Sequence, residues 1–117
     1  MDDGRYEVGV FQGCSSLHSI NLDGTATRLA PMMFADCGSL GAVNIPSSIS
    51  HIEGFCFENC SGTTSMTFNS STPPSLGGEA LGDTSYTFPI YVPSNAVSTY
   101  KSDRYWSGYA NRIQAKP

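Results

Sequence analysis

The residues of this sequence that are most able to do chemistry are four cysteines and two histidines: Cys14, Cys37, Cys56, Cys60, His18 and His51. A structural zinc site usually draws its four ligands from two such pairs. Cys56 and Cys60 form one pair with His51 nearby, but the sequence offers no second pair to complete the site. We therefore predict no metal site and no cofactor.

Catalytic motifs are the next possibility. The sequence contains no nucleophile elbow, phosphate-binding loop or His-Glu metal motif. The triplet Asp83-Thr84-Ser85 stands in a glycine-rich stretch, where one copy indicates a turn. We predict a non-enzymatic protein. A serine that meets a histidine and an acid in the fold would make it a hydrolase, and turnover lost on replacing His18 or His51 would establish that alternative.

The spacing of the cysteines shows how the chain is organised. Cys14, Cys37 and Cys60 recur at one constant interval, and a phenylalanine stands three positions before each of them, at Phe11, Phe34 and Phe57. Two residue types that share one period indicate an internal repeat. The interval lies within the range of about 20–29 residues that is typical of leucine-rich repeats, whose units bury their apolar side chains only by stacking.

Each repeat contains a segment with alternating apolar residues, which predicts a short strand. The residues expected to point inward are Ile20 and Leu22, Val43 and Ile45, and Met66 and Phe68. The residues between them would point outward in two rows, Ser19, Ala42 and Ser65 in one and Asn21, Asn44 and Thr67 in the other. With Tyr91 of the last repeat, these outward residues are the candidate ligand-binding set; alternatively, they only meet solvent.

The second half of each repeat predicts a short extended segment that returns on the opposite side of the coil. Ala26–Leu29 and Ile49–Ile52 are these segments, and Pro46-Ser47-Ser48 marks the turn before the second. In the third repeat, the turn-forming residues 69–74 replace the expected segment. We therefore expect a transition to begin there.

The three cysteines that share one repeat position would stack in the core. Their side chains would run parallel, a geometry that disfavours a disulfide. We expect buried free thiols that act as small apolar residues. The repeat register assigns Cys60, and not Cys56, to the core.

The C-terminal part predicts a cap over the last repeat. Ile90 and Val92 repeat the inward pair once more, one rung after Met66 and Phe68. Ser94 is a candidate helix N-cap, and the apolar positions that follow predict two short helical turns, the second including Trp106, Tyr109 and Ile113. The predicted organisation is a partial N-terminal rung over 1–10, three 23-residue repeats over 11–79, and a final rung with its cap over 80–117. Nothing before Tyr6 resembles a cap, so we expect the N-terminal edge to be either a cut through a longer array or a surface for self-association.

Composition excludes two classes of partner. The net charge is −4 and charged residues make up 14% of the chain, so no large basic surface is available for nucleic acid. No apolar stretch approaches the roughly 20 residues of a membrane span. We expect neither nucleic-acid binding nor membrane insertion.

The motif Phe-x-x-Cys-x-x-Leu, the Val-Asn-Ile-Pro turn at 43–46 and the repeat length resemble the BspA-like leucine-rich-repeat family. The resemblance extends into the closing segment, at residues 72–76, 90–93, 100–101 and Trp106. It implies a repeat solenoid that is mainly β, a short right-handed coil with parallel strands and a short helical C-terminal cap. It also implies a secreted or cell-surface bacterial protein that recognises protein or glycan ligands of a host or a cell surface. The alternative is a structural spacer that displays a neighbouring domain.

Overall fold

The computed structural model describes residues 22, 24, 26–82 and 87–116, which form a coil with strands on two of its sides. The strands are β1 (Arg28–Leu29), β2 (Ala42–Ile45), β3 (His51–Ile52), β4 (Ser65–Phe68), β5 (Ser75–Leu76), β6 (Ile90–Val92) and β7 (Ile113–Ala115). Between β6 and β7 lie a 3-10 helix (Ser94–Ala96), the helix α1 (Val97–Ser102) and a second 3-10 helix (Ser107–Arg112). The predicted solenoid of parallel strands with a short helical cap is confirmed.

A parallel sheet of four strands, in the order β2-β4-β6-β7, forms the first side. Val43 pairs with Met66, and Met66 pairs with Ile90, so equivalent residues of successive rungs lie side by side. Strand alternation sends Val43, Ile45, Met66 and Phe68 into the core, where each is at most 1% exposed. The predicted inward set is confirmed for these four, whereas Leu22 is partly buried and Ile20 lies outside the described residues.

A second parallel sheet, in the order β1-β3-β5, forms another side. It confirms the two return segments, since Leu29 pairs with Ile52. The prediction that turn-forming residues replace this segment in the third repeat was wrong, because β5 follows them and Ile52 pairs in turn with Leu76. The step from Ile52 to Leu76 is one position longer than the step from Leu29 to Ile52. The turn-forming stretch therefore absorbs one extra residue, and the strand then continues in register.

The turns on the third side are also stacked by backbone hydrogen bonds. The Phe34 amide donates to the Cys56 carbonyl (2.8 Å), and the Phe57 amide donates to the Ala80 carbonyl (3.0 Å). Met32 and Phe55 hold equivalent positions in successive rungs, and both adopt the left-handed conformation, each with φ 57°. The same backbone shape therefore recurs from rung to rung, although the side chains at the corner differ.

The core runs along the coil as columns of equivalent side chains. The Phe34 and Phe57 rings stack with centroids 5.3 Å apart, and Cys37 and Cys60 are buried as predicted. The prediction that Cys56 lies outside the core was wrong, since its exposure is 0%. Cys56 stands one repeat after Met33, which is also fully buried. Because these two residues share no side-chain type, the composition pattern did not reveal their column.

The C-terminal segment closes the last rung with aromatic side chains. Trp106 is fully buried against Phe68 and Tyr100, with both ring centroids 4.9 Å away. The Trp106 indole N–H donates to the Pro74 carbonyl (2.7 Å), and the Tyr100 hydroxyl donates to the Ser70 carbonyl (2.6 Å). The cap therefore covers apolar surface and also donates hydrogen bonds to carbonyl groups of the turn-forming residues 69–74, which we call the irregular stretch.

Two details of the cap differ from the predictions. Ser94 is the first residue of a 3-10 helix whose N-cap is Pro93, and no side chain caps that helix. Ile113 begins β7 and pairs with Ile90, so it extends the sheet and does not belong to a helical turn. The N-terminal edge, for which self-association was expected, lies outside the described residues.

Candidate functional site

The outward side chains of the four-stranded sheet form the candidate binding surface, which we call the sheet face. Strand pairing places Asn44 beside Thr67, Thr67 beside Tyr91, and Tyr91 beside Gln114. We call these four residues the polar row. Neighbouring strands are about 4.8 Å apart, so the row presents amide, hydroxyl and phenol groups at regular intervals.

The structure brings together five of the seven predicted site residues. Ala42 and Asn44 are exposed, while Ser65, Thr67 and Tyr91 are half-buried on the same face. Ala42 pairs with Ser65, which makes a second, shorter row. Ser19 and Asn21 lie outside the described residues.

Gln114 belongs to the polar row, and sequence reasoning missed it. It lies in β7 between Ile113, which is buried, and Ala115, which is exposed. The available signal was the isoleucine, whose alternation with Gln114 fits a strand, but it was assigned to the helical pattern of Trp106 and Tyr109.

An amide network fixes one border of the sheet face. The Asn69 side-chain amide donates to the Asn44 side-chain oxygen (3.0 Å) and to the Ile45 carbonyl (2.9 Å). The Lys116 ammonium donates to the Asn69 side-chain oxygen (2.7 Å). Because each group holds the next, Asn44 is oriented before any ligand arrives, which lowers the entropy cost of binding.

The polar row and the shorter row carry no charged side chain in the part of the chain that the structure describes. The groups on these rows are the hydrogen-bonding side chains of Asn44, Thr67 and Gln114 and the ring and hydroxyl of Tyr91. Tyrosine combines apolar contact area with a polar end, which is why it is frequent among the strongest contacts of interfaces.

A second polar cluster lies on the three-stranded sheet. Strand pairing sets Arg28 beside His51, and His51 beside Ser75. Glu53 follows β3 and forms an ion pair with Arg28, while His51 Nε2 lies 3.2 Å from Glu53 Oε2. His51 Nδ1 forms a hydrogen bond with Ser75 Oγ. Sequence reasoning considered His51 without identifying these partners, because they come from three different rungs.

The electrostatics of this cluster keep His51 neutral near pH 7. Burial, and secondarily the positive charge of Arg28, lower the pKa of His51 below its ordinary value of 6.5. The His51 side chain is still 36% exposed, so solvent and small molecules reach it. The imidazole is therefore available as a base.

The described cysteines, Cys37, Cys56 and Cys60, are all buried, and Cys56 and Cys60 are free thiols, as predicted for Cys60. Burial raises the pKa of Cys60 to about 12 and also raises the pKa of Cys56. The Cys60 thiol donates to the Phe34 carbonyl (3.1 Å). Within residues 26–82 and 87–116, no group of three His, Cys, Asp or Glu side chains could hold a metal ion.

Arg112 is a buried cation in the cap. Its guanidinium packs on the Phe88 ring, 4.3 Å from the centroid, and its Nε donates to the Phe88 carbonyl (3.1 Å). The residue is 7% exposed, and its terminal nitrogens have no hydrogen-bond partner among the residues described. Burial lowers the pKa of Arg112. Its contribution to the cap is therefore mostly packing against aromatic rings.

None of the described helices is long and apolar enough to cross a membrane.

Comparison with known proteins identifies the repeat. Residues 7–103 match the BspA type leucine rich repeat region in six copies, which is most of the chain. No curated protein matches the sequence. The stacked rungs, the two parallel sheets and this match agree, and the chain belongs to the BspA-type leucine-rich-repeat family.

Proposed function

We propose that this protein is a non-enzymatic binding module of a secreted or cell-surface bacterial protein, and that it recognises protein or glycan ligands through the sheet face. The BspA-type family is typical of bacterial surface proteins, and its repeats generally serve as interaction modules. Secretion, adhesion and the choice of ligand are part of the proposal.

The observation that supports the proposal is the in-register polar row. Four successive strands place Asn44, Thr67, Tyr91 and Gln114 side by side on one surface. A rigid sheet holds such groups at fixed distances. The protein side chains therefore lose little conformational entropy when a ligand with matching hydrogen-bonding groups binds. Solenoids commonly use extended surfaces of this kind for binding.

The experiment is a binding screen of the 117-residue chain against extracellular matrix proteins and an array of glycans. For each ligand found, the triple variant N44A/T67A/Y91A is compared with the unchanged chain. Removing a central tyrosine and two hydrogen-bonding side chains should cost more than about 2 kcal/mol, which weakens binding by roughly 30-fold or more.

A matched control changes two exposed side chains outside the sheet. Ser98 and Thr99 lie on the solvent side of α1, so S98A/T99A should bind as the unchanged chain does. If N44A/T67A/Y91A folds and binds every such ligand with unchanged affinity, the sheet face is not the binding site. The structural spacer is then the better description.

A further inference from the structure

We infer that Ser75 is an activated nucleophile that accepts an acyl group from an activated ester, with His51 as its base and Glu53 as the residue that positions His51. This goes beyond the proposed binding function, since the three residues lie at the three-stranded sheet and not on the sheet face.

The groups beside the two ring nitrogens of His51 favour one tautomer. Nε2 faces the Glu53 carboxylate, which only accepts hydrogen bonds, so Nε2 carries the proton in neutral His51. Nδ1 is then an acceptor, and the hydroxyl of Ser75 donates to it. A serine O–H that donates to a neutral imidazole, whose other nitrogen lies beside a carboxylate, resembles the arrangement that activates serine nucleophiles.

Neighbouring groups keep this arrangement in place. Arg28 pairs with Glu53 from the preceding rung, which fixes the carboxylate beside His51. Among the described residues, the Ser75 hydroxyl has one other acceptor within reach, the Ser50 carbonyl at 3.5 Å, a longer and weaker contact. Ser75, His51, Glu53 and Arg28 are each only half-buried, so a small electrophile can approach from solvent.

The reaction is a single acyl transfer. Ser75 Oγ attacks the carbonyl carbon of the ester while its proton passes to His51 Nδ1. The bond from the carbonyl carbon to the leaving oxygen breaks, and that oxygen departs with the bonding electron pair. His51 then releases its proton to water, so the products are acyl-Ser75, the free leaving group and a regenerated imidazole. No oxidant or further reactant is required.

The test uses 4-nitrophenyl acetate with the full chain, and peptide mass spectrometry measures the rate at which Ser75 gains an acetyl group. A positioned general base accelerates such a step by about 100-fold or more. H51Q should slow acetylation of Ser75 by that factor, while H18Q, which removes the other histidine, should leave it unchanged. Ser50 is the control serine, because its hydroxyl donates to the Thr27 carbonyl (3.2 Å), and it should not be acetylated.

A second measurement needs no variant and so does not depend on whether H51Q folds. The acetylation rate of Ser75 should rise with pH as His51 loses its proton, with a midpoint below 6.5, and then reach a plateau. The groups that face His51 from the neighbouring strands are Arg28 and Ser75, with Glu53 beside it. E53Q should move the midpoint lower, because it removes the negative charge that favours the imidazolium.

Three results would overturn the inference: no acetyl group on Ser75, acetylation of Ser75 at an unchanged rate in folded H51Q, or a rate that follows hydroxide concentration without a plateau. None of them bears on ligand binding by the sheet face, so this inference and the proposed function fail separately.

Discussion

Gly77 lies where two rungs approach each other closely, and adding one methyl group there should force them apart. A Cβ at position 77 would lie 2.4 Å from the Gly54 nitrogen, 2.9 Å from the Gly54 Cα and 3.0 Å from the Glu53 carbonyl carbon. All three are backbone atoms of the preceding rung, so no flexible side chain can move aside. The Gly77 amide also donates to the Ile52 carbonyl (2.8 Å), and separation of the rungs would stretch that hydrogen bond.

The expected cost of G77A follows from these contacts. Overpacking in a rigid interior costs about 1–3 kcal/mol, and a weakened backbone hydrogen bond adds about 1 kcal/mol. We expect G77A to lower the free energy of unfolding by about 3 kcal/mol. Chemical denaturation followed by circular dichroism measures this loss as a lower midpoint with an unchanged m-value.

The neighbouring glycine supplies the control. A Cβ at Gly78 would meet nothing within 4 Å. G78A should therefore be neutral or stabilise the fold by up to about 1 kcal/mol, because alanine restricts the unfolded chain. Equal stability of G77A and G78A would refute the reasoning, since the two variants differ in this contact and in little else.

Three further predictions concern the cap, the histidine and the thiols. W106A should lower the free energy of unfolding by about 3–5 kcal/mol in chemical denaturation, because Trp106 is fully buried; a loss below about 1 kcal/mol would show that it does not hold the cap. The pKa of His51 is lower in the folded protein than the unfolded value of 6.5, because the fold disfavours the protonated imidazole. The stability that neutral His51 contributes should therefore be complete above pH 6.5, and it should be lost as the pH falls through the folded pKa. H51Q should reduce that pH dependence in thermal unfolding, and an equal slope in both proteins would contradict this. Cys56 and Cys60 should resist iodoacetamide at pH 8 until denaturant is added, because burial raises the pKa of both thiols. Peptide mapping measures the labelling, and rapid labelling of the folded chain would refute the prediction.

The strands that face the core were predictable because apolar side chains recur there by type. The repeat period is visible in the sequence at Phe34 and Phe57 and at Val43 and Met66. In the structure, the members of each pair are neighbours in successive rungs. Stacking requires apolar side chains of similar shape at equivalent positions, so the repeat can be recognised at these positions from the sequence.

One core column and the strands β5 and β7 could not be recognised from repeated residue types. Met33 and Cys56 fill one core column with different side chains, so matching by residue type missed it. The return strand β5 was missed because one extra residue among the turn-forming residues moved Leu76 out of the expected phase. Strand β7 was missed because two buried aromatic residues, Trp106 and Tyr109, precede Ile113 at helical spacing.

The candidate site was predictable where it depends on strand alternation, which placed Ala42, Asn44, Ser65, Thr67 and Tyr91 on one face. The cluster of His51, Glu53 and Ser75 was not predictable, because its geometry depends on which residues the rung register sets side by side.

The hydrogen bonds from Tyr100 and Trp106 determine which part of this chain can be transplanted as a unit. Their acceptors are the carbonyls of Ser70 and Pro74, which belong to the irregular stretch and not to a regular rung. A cap grafted from residue 87 onward onto a regular rung of another solenoid would bury two donors without acceptors. The transferable module therefore begins near Asn69, and extra rungs in an engineered array belong before it.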